Sequence, residues 1–514
     1  MNPDRNQTDT RYGEFETVIR KTDFYIDGEW VAPAVPHDLP VINPADEQAF
    51  AVISLGSKAD VDRAVAAARA AFEPWAATPL AERIALIKKL LAIYNRRAPE
   101  MAKTISLEMG APIDFALSEQ AGAGTWHIEG FLEALKNFAF EHEANGDLIL
   151  REPIGVCALI TPWNWPMNQV TLKVVPAVAV GCTVVLKPSE IAPMSSILFA
   201  EMMDEAGFPK GVFNLVNGDG AGVGEVLSSH PDIDMVSFTG STRAGRSIIR
   251  NAAETIKRVT LELGGKSPNV IFADADLPAA IKRSITHVME NAGQSCNAPT
   301  RMLVERKVYN KVVELALEAA KTVTVGDPAQ GGTHIGPLVS ELQFNKVRDL
   351  IEAGIKEGAR LVVGGPGRPS GFSCGYFAQP TIFADVNNDM RIAREEIFGP
   401  VLSIIPFDTE DDAVRIANDT PYGLAAYLST GDEKKASRVA RKLRAGMVHV
   451  NGQSLGKGNP FGGYKQSGSG REGGHFGIED FLELKTVSGG YTKSHPVYPA
   501  ISANFSSRYG IGGV

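Results

Sequence analysis

Two segments of the chain carry the residue types that nucleophilic catalysis needs. Cys296 ends the run NAGQSC, whose small and polar residues make poor core material. Glu262 lies in the β-branched run RVTLEL and is soon followed by the pair Gly264-Gly265. A thiol can attack a carbonyl carbon, and a carboxylate can activate the water that releases the acyl product. Together these residues predict a two-step acyl chemistry.

Both residues also have a purely structural interpretation. A lone cysteine is most often a buried small hydrophobe, and a carboxylate at a strand end is often only solvated. A free thiol has a pKa of about 8.5, so it needs help from its surroundings to ionise near neutral pH. Cys157 and Cys182 lie in apolar runs and Cys374 lies in a glycine-rich segment, so we interpret all three as structural or incidental. Open α/β sheets bind ligands where their strands end, which favours a functional Glu262.

A third candidate, Asn164, lies in the segment TPWNWP directly after a predicted strand. Two prolines and two tryptophans restrict the backbone around it, and its side-chain amide can donate to a developing oxyanion. A packed aromatic loop is the alternative interpretation of the same segment.

Two further segments have the features of a nucleotide site. Lys187 and Glu190 follow a predicted strand in the run LKPSE, where a carboxylate can accept hydrogen bonds from ribose hydroxyls. This favours NAD over a cofactor with a 2′-phosphate. In FTGSTRAG (238–245) a strand turns into a helix, so the helix N-terminus can face a pyrophosphate. The run GSGREG (468–473) matches G-x-G-x-x-G, but it follows a loop and is interpreted as a decoy.

Strand-like and helix-like segments alternate along most of the chain. Strands are predicted at 154–160, 183–187, 211–216, 235–240 and 258–263. Helices are predicted at 57–72, 79–109, 195–207, 222–228 and 241–256. A second alternation follows Pro268, with strands at 269–272 and 301–305 and helices up to about 291, at 309–321 and at 341–357. The pattern is typical of parallel sheets covered by helices and predicts two α/β lobes joined near Gly264-Gly265.

Composition excludes several classes of protein. The chain has 514 residues, more than one hydrophobic core usually organises, so two or more domains are expected. Its net charge of −9 argues against a nucleic-acid partner. The longest apolar run, 174–186, is too short to span a bilayer, which argues against a membrane protein. Cysteine and histidine spacing fits no zinc site, so we expect a reduced, cytoplasmic chain without metal.

The chain resembles the aldehyde dehydrogenase superfamily over roughly residues 20–490. The resemblance rests on motifs that occur in the order of that family: TPWNWP, VVLKPSE, FTGSTRAG, LELGGKSP, NAGQSC, EEIFGPV and PFGGYKQSGSGRE. The nucleotide fold of that family lacks the usual glycine fingerprint, which agrees with the interpretation of GSGREG as a decoy. The implied activity is oxidation of an aldehyde to the carboxylic acid with NAD+ as hydride acceptor.

The resemblance also implies an α/β fold with two Rossmann-like lobes, for cofactor and catalysis, plus a β-strand oligomerisation arm. Its domain boundaries, carried over, are 1–131 and 151–262 for the NAD-binding domain, 263–475 for the catalytic domain, and 132–150 with 476–495 for the arm. Residues 496–514 form a C-terminal extension of unknown role. A homo-oligomer, either dimer or tetramer, is implied as well.

Residue roles follow from the same motifs. Cys296 matches the nucleophile that forms a thiohemiacetal and then a thioester, Glu262 the base that activates water, and Asn164 the oxyanion amide. The residues that match the cofactor site, for NAD with NADP as the less favoured alternative, are Thr161, Pro162, Trp163, Lys187, Ser189, Glu190, Gly220, Gly224, Phe238, Thr239, Gly240, Ser241, Leu263, Gly264, Glu396 and Phe398. The residues that match the substrate wall are Trp165, Asn168, Gln169, Leu172, Glu290, Ser295, Asn297, Leu455 and Phe461. Lys457 nearby could meet a carboxylate on a semialdehyde or could simply be a solvated loop lysine.

Three other functions account for the sequence less well. Relatives that release the thioester to coenzyme A or to phosphate lack the base that Glu262 provides, so its presence favours hydrolysis. A non-catalytic, crystallin-like protein would not need to keep every site residue. A cysteine hydrolase without cofactor would need a histidine beside Cys296, and the nearest upstream in sequence, His287, lies on a predicted helix.

Overall fold

The computed structural model describes residues 18–489. Its strands, in chain order, are β1 (Ile19–Lys21), β2 (Phe24–Ile26), β3 (Glu29–Val31), β4 (Asp38–Asn43), β5 (Gln48–Ser54), β6 (Glu141–Ala144), β7 (Asp147–Pro153), β8 (Val156–Ile160), β9 (Thr183–Lys187), β10 (Phe213–Leu215), β11 (Met235–Thr239), β12 (Arg258–Glu262), β13 (Pro268–Ile271), β14 (Arg301–Glu305), β15 (Arg360–Val363), β16 (Thr381–Ala384), β17 (Val401–Phe407), β18 (Ala425–Ser429), β19 (Met447–Val450), β20 (Gly468–Ser469) and β21 (Leu482–Val487).

Helices separate most of these strands. They are α1 (Lys58–Ala76), α2 (Leu80–Met109), α3 (Ile113–Phe115), α4 (Gly122–Leu135), α5 (Pro166–Val180), α6 (Met194–Ala206), α7 (Glu225–Ser229), α8 (Thr242–Ala252), α9 (Leu277–Met289), α10 (Tyr309–Ala320), α11 (Glu341–Lys356), α12 (Arg391–Arg394), α13 (Glu410–Asn418), α14 (Glu433–Lys442) and α15 (Gly474–Glu479). Short π-helical turns occur at Ala116–Ala121 and Gly220–Gly224, and a 3-10 turn at Glu290–Gly293 leads to Cys296.

The first large sheet has eight strands in the order β20-β12-β11-β8-β9-β10-β2-β3. Its five middle strands, β12 to β10, are parallel, as the alternation of strands and helices predicted. The outer strands β20, β2 and β3 run antiparallel to their neighbours and were not predicted. Since the carboxyl ends of parallel strands meet at one edge, every loop after these five strands reaches the same crevice.

The second large sheet has seven strands in the order β15-β16-β17-β14-β13-β18-β19. All are parallel except β15, which pairs antiparallel with β16. The chain crosses from the first sheet to the second between Glu262 and Pro268. This crossing contains Gly264 and Gly265 and brings the carboxyl end of β12 close to the second sheet.

A smaller antiparallel sheet has the strand order β21-β7-β6, and its strands lie largely in the segments that the resemblance implied for the oligomerisation arm. A fourth sheet has the strand order β1-β5-β4. The domain boundaries stay a prediction. The extension 496–514 and the boundary segments 1–17 and 490–495 lie outside the described residues. Within residues 18–489, no helix is both long and apolar enough to cross a lipid bilayer.

A buried carboxylate joins two long helices beneath the first sheet. Glu108 of α2 is fully buried and accepts hydrogen bonds from the backbone N–H of Met194 (2.6 Å) and of Ser195 (3.2 Å) at the start of α6. Replacing Glu108 by alanine leaves both donors unpaired, which we expect to lower the free energy of unfolding by about 3 kcal/mol. Glu108→Gln keeps an acceptor oxygen and should lose about 1 kcal/mol or less in chemical denaturation.

The same carboxyl predicts a pH dependence of stability. Burial raises the pKa of Glu108 to about 7, so the folded chain keeps a proton that the unfolded chain releases above about pH 4.5. Its contribution to stability is therefore complete below that pH and declines as the pH rises towards 7. Glu108→Gln should lack this decline, and an identical pH profile in the two proteins would contradict the assignment.

Candidate active site

Cys296 follows a loop with an unusual backbone. Asn291, Ala292 and Gly293 have φ angles of 53°, 53° and 73°, in the left-handed region. A Cβ on Gly293 would overlap the backbone of Gly399, so this position requires glycine. Left-handed non-glycine residues are strained and persist where their surroundings hold them. The loop places Cys296 half-buried beside the apolar cluster Leu424, Ala425 and Met447.

Side-chain amides hold the loop in this conformation. Gln294 accepts at Oε1 from the backbone N–H of Val339 (2.9 Å) and donates from Nε2 to the carbonyl of Asn291 (3.1 Å). Asn291 and Gln120 both donate to the backbone carbonyl of Asn164, at 2.9 and 3.0 Å. The loop that carries the cysteine is therefore fixed directly to the loop after β8.

Asn164 is buried beside the nucleophile loop. Its Nδ2 donates to the carbonyl oxygen of Gln294 at 2.9 Å. A primary amide carries two N–H groups, so one hydrogen remains for an oxyanion next to Cys296. The bond to Gln294 fixes the orientation of the amide before any substrate arrives.

The thiol of Cys296 is not pre-ionised in this arrangement. Burial raises its pKa well above the ordinary range, and the negative charges of Glu396 and Glu262 add to the effect. The protonated thiol is therefore the resting form. The positive charge of a bound nicotinamide would act in the opposite direction and favour the thiolate.

Glu262 ends β12 and points into the molecule. It is buried, and neither Oε1 nor Oε2 has a hydrogen-bond partner within residues 18–489. Burial, followed by repulsion from Glu472, raises its pKa well above that of an ordinary carboxyl, while Lys173 and Arg471 act against the shift. A carboxylate with a raised pKa is a stronger base, and its free oxygens can receive a water molecule.

A buried ion pair, not singled out from the sequence, lies near Glu262. Lys173 of α5 pairs with Glu472 and also donates to the hydroxyl of Ser237 at 3.2 Å. No sequence pattern marks this pair, because Lys173 adjoins an apolar run and Glu472 lies in a loop.

The cofactor residues predicted from the first lobe all follow strands of the parallel sheet. Thr161, Pro162 and Trp163 come after β8; Lys187, Ser189 and Glu190 end or follow β9; Gly220 and Gly224 follow β10; Phe238, Thr239, Gly240 and Ser241 end or follow β11; and Leu263 and Gly264 follow β12. The sheet therefore brings this set to one edge. Glu396 and Phe398 reach it from the segment between α12 and β17 of the second sheet.

Two features of this edge fit a dinucleotide. Lys187 Nζ contacts the carboxylate of Glu190 at 3.3 Å, which places an anionic acceptor beside a cation at the end of β9. Ser241 accepts at its hydroxyl from the N–H of Ala244 and begins α8, whose first N–H groups suit a pyrophosphate. The buried hydroxyl of Thr239 has no hydrogen-bond partner within the described chain, so a polar group is needed there.

The crossing between the sheets joins the predicted cofactor edge to the loop that carries Cys296. Glu396 accepts at Oε1 from the N–H of Gly265 (3.0 Å), and a Cβ on Gly264 would overlap its carboxylate. A Cβ on Gly265 would lie 2.5 Å from the carbonyl oxygen of Cys296. Phe398 meets Trp163 edge to face, with ring centroids 5.4 Å apart.

Some of the predicted substrate residues contact the loop that carries Cys296. Trp165 donates from Nε1 to the Ser295 hydroxyl at 2.9 Å. The remaining members on the side of α5 are Asn168, Gln169 and Leu172, of which Gln169 is buried with an unpartnered Oε1. Glu290, Asn297 and Leu455 line a cavity of about 710 Å³, and Phe461 pairs by its backbone with Glu472.

Lys457 is exposed to solvent, and its ammonium group has two partners. Its Nζ pairs with Glu129 at 2.5 Å and lies 4.6 Å from the ring centroid of Trp126. A substrate carboxylate would have to compete with both partners.

Known proteins share this fold and about half of this sequence. The sequence profile of the aldehyde dehydrogenase family matches residues 30–487. The chain is similar to 3-succinoylsemialdehyde-pyridine dehydrogenase from a Pseudomonas species, at 53% identity over 468 residues, which are 91% of this chain and 98% of that protein.

Crystal structures agree with the sequence match. An aldehyde dehydrogenase from Bartonella henselae has 56% identity and a TM-score of 0.91, with 92% of this chain and 100% of that chain covered. A cysteine-to-alanine variant of aldehyde dehydrogenase C from Pseudomonas syringae, in complex with NAD+ and octanal, has 52% identity and a TM-score of 0.90, with 91% and 96% covered. These comparisons confirm the resemblance found in the motifs: the chain belongs to the aldehyde dehydrogenase family.

Proposed function

We propose that this aldehyde dehydrogenase uses NAD+ to oxidise an aldehyde to its carboxylic acid through a covalent acyl intermediate on Cys296. The observation that carries the proposal is the crossing between the sheets. There Gly265 touches the backbone of Cys296, donates to Glu396 and lies three residues after Glu262. One short segment thus brings together the proposed nucleophile Cys296, the proposed base Glu262 and the carboxylate of Glu396, which is suited to bind a ribose.

The residues of this chain have distinct tasks in that reaction. The Cys296 sulfur bonds to the aldehyde carbon, its proton leaves, and the resulting oxyanion accepts from the free N–H of Asn164. The chemistry that bound NAD+ supplies is acceptance of a hydride from that carbon, which leaves a thioester on the sulfur. Glu262 then takes a proton from water as the water oxygen attacks the acyl carbon. The carbon–sulfur bond breaks, the acid leaves and the thiol regains a proton.

Hydrolysis rather than transfer to coenzyme A or phosphate is supported by Glu262. Its buried oxygens have no protein partner in the described chain and so can bind water. The predicted substrate residues keep their role as part of the proposal: the α5 side (Trp165, Asn168, Gln169, Leu172) and the loop side (Glu290, Ser295, Asn297, Leu455, Phe461) contact the aldehyde chain. The relative from Pseudomonas is named for a pyridine semialdehyde, and the Pseudomonas syringae structure contains octanal.

The preference for NAD+ depends on Glu190. Its carboxylate can accept from the adenosine ribose hydroxyls and would repel a 2′-phosphate, while Lys187 beside it is already paired. We expect aldehyde-dependent reduction of NAD+ with at least tenfold lower kcat/KM for NADP+, measured by nicotinamide absorbance. Glu190→Gln should lower the ratio of kcat/KM for NAD+ to that for NADP+ about tenfold, because it removes the repulsion between the Glu190 carboxylate and the 2′-phosphate.

Glu433→Gln, on the exposed face of α14, is a matched control because it makes the same change of charge. We expect it to leave the ratio of kcat/KM for NAD+ to that for NADP+ unaltered. Equal use of both cofactors by the unaltered protein would refute the role of Glu190. No reduction of either cofactor with any aldehyde would refute the proposed function.

A homo-oligomer, dimer or tetramer, and a cytoplasmic location complete the proposal. The strands β21 and β19 are edge strands, and Leu484 on β21 is 70% exposed, so both edges offer unpaired backbone groups to another copy. The four cysteines are free thiols, and the reaction requires Cys296 to stay reduced, as the cytoplasm favours.

A further inference from the structure

Gln120 lies between the two loops that carry the proposed nucleophile and the proposed oxyanion amide. It is fully buried, and its Nε2 donates to the backbone carbonyl of Asn164 at 3.0 Å and to Oδ1 of Asn291 at 3.2 Å. The first acceptor belongs to the residue whose side chain is proposed to donate to the oxyanion. The second lies five residues before Cys296. The reaction as proposed gives this glutamine no task.

A π-helical turn directs Gln120 into the molecule. The turn spans Ala116–Ala121 and lies between α3 and α4. Its residues 117–119 are exposed, whereas Gln120 and the residue after it are buried. Single π-helical turns are rare and occur frequently at functional sites. The local geometry therefore favours a role for Gln120 in the site.

The segment around Gln120 is itself held on both sides. The hydroxyl of Tyr94 on α2 donates to the carbonyl of Ala121 at 2.8 Å. The N–H of Ile113 donates to the carbonyl of Pro328, between α10 and α11, also at 2.8 Å. Gln120 thus has a fixed place from which to hold the two loops that it contacts.

Gln120 has to act as a hydrogen-bond donor at this place. Asn291 directs its Nδ2 to the carbonyl oxygens of Asn164 (2.9 Å) and Gln294 (3.3 Å), so its Oδ1 is left to accept. The carbonyl of Asn164 is an acceptor as well, so both neighbours of the Gln120 Nε2 require N–H groups. A side chain of the same size without donors cannot replace this glutamine.

The contacts of Gln120 set where the oxyanion amide stands relative to the sulfur. Asn164 Nδ2 donates at 2.9 Å to the carbonyl of Gln294, two residues before Cys296. The same carbonyl accepts from Asn291, so the two asparagines, Gln120 and the nucleophile loop form one closed network. Loss of Gln120 removes a donor from both asparagines. An amide displaced by about 1 Å loses much of its effect on the transition state.

We propose that Gln120 is a positioning residue, whose amide holds the side chain of Asn164 at the distance from Cys296 that stabilisation of the oxyanion requires. The inference rests on the proposed function and adds the π-helical turn to the parts of the chain that serve it. Gln120 acts through Asn164 and has no contact of its own with substrate or cofactor.

A double-mutant cycle tests this dependence, with kcat/KM for propanal or octanal, whichever reacts faster, measured at saturating NAD+. Gln120→Met keeps the size of the side chain but removes both donors, and should lower kcat/KM about 30-fold. Asn164→Ala should lower it about 10²- to 10³-fold. The double variant should lie less than about threefold below Asn164→Ala, because the position of the amide has no effect once the amide is gone.

Alkylation of Cys296 by iodoacetamide separates this role from a general loss of structure. The alkylation forms no oxyanion, so Gln120→Met should change its rate by less than about threefold. Gln379→Met is the matched control, since the Nε2 of Gln379 donates to two backbone carbonyls between β15 and β16. The control should keep the unaltered kcat/KM. If Gln120→Met does not fold, Gln120→Glu, which keeps the shape and has at most one donor, takes its place in the cycle.

Three results would overturn the inference alone: an unaltered kcat/KM in Gln120→Met, losses that multiply in the double variant, or alkylation of Cys296 slowed as much as turnover. The proposed function stands in each case, as long as the unaltered protein oxidises the aldehyde. An unaltered kcat/KM in Asn164→Ala would instead refute the oxyanion role of Asn164, and the inference would fail with it.

Discussion

Replacing Cys296 by alanine is expected to abolish aldehyde-dependent reduction of NAD+, with a loss of about 10⁴-fold or more in kcat. The loss is that large because no covalent intermediate can form without the sulfur, and removal of a nucleophile typically costs this much or more. The alanine variant should still bind NAD+, since the residues proposed to hold the dinucleotide lie on the edge of the first sheet and on the segment after α12. Steady-state rates, together with a binding titration, measure both effects.

Cys374→Ala is the matched control for this experiment. That thiol is exposed, and its contact is with the backbone carbonyl of Asp46. The control should keep full activity and full NAD+ affinity. Turnover in Cys296→Ala above about one per cent of the unaltered rate would exclude Cys296 as the nucleophile.

Glu262→Gln should separate the two halves of the reaction. Acyl transfer to Cys296 can still proceed, but no base then activates water, so one equivalent of NADH per site should appear as a burst. Steady turnover should fall about 10²- to 10⁴-fold, the usual contribution of a general base. Rapid mixing detects the burst, and mass spectrometry of acid-quenched protein detects the added acyl group.

The pH dependence of thioester hydrolysis provides a second test of the role of Glu262. Because its pKa is raised above the ordinary carboxyl value of 4.5, the base form appears only at higher pH. Hydrolysis of the thioester should therefore slow as the pH falls through that raised pKa. Glu262→Gln should lack this limb of the profile, and a variant with an unchanged profile and no burst would assign water activation to another group.

Much of the architecture was predictable from the sequence, since short β-branched runs separated by helical patterns predict a parallel sheet. Several elements were not predicted, however, among them helix α5 and strand β20. In α5, residues from Pro166 to Val180 are buried nearly all round, so no polar face marks a helical period. The antiparallel edge strand β20 has two residues, which is too short for a pattern.

The site was predictable in part, for a different reason. Motifs pointed to Cys296, Glu262 and Asn164 because local sequence sets each loop. The amide network of Gln120, Asn291 and Gln294 joins segments far apart in sequence, so only three-dimensional packing reveals it. The raised pKa values have the same origin, because burial is a property of the folded chain.

Gly264 and Gly265, at the crossing between the sheets, limit where the sequence of such an enzyme can change as its substrate preference evolves. Even alanine at Gly264 would displace the Glu396 carboxylate, and alanine at Gly265 would displace the backbone of Cys296. We therefore expect selection to remove substitutions at both positions. The side chains proposed to face the aldehyde tail lie elsewhere, on α5, at Glu290 and in the segment with Leu455. New substrate preferences can thus arise by single amino-acid changes without disturbing the machinery shared by every reaction the enzyme catalyses.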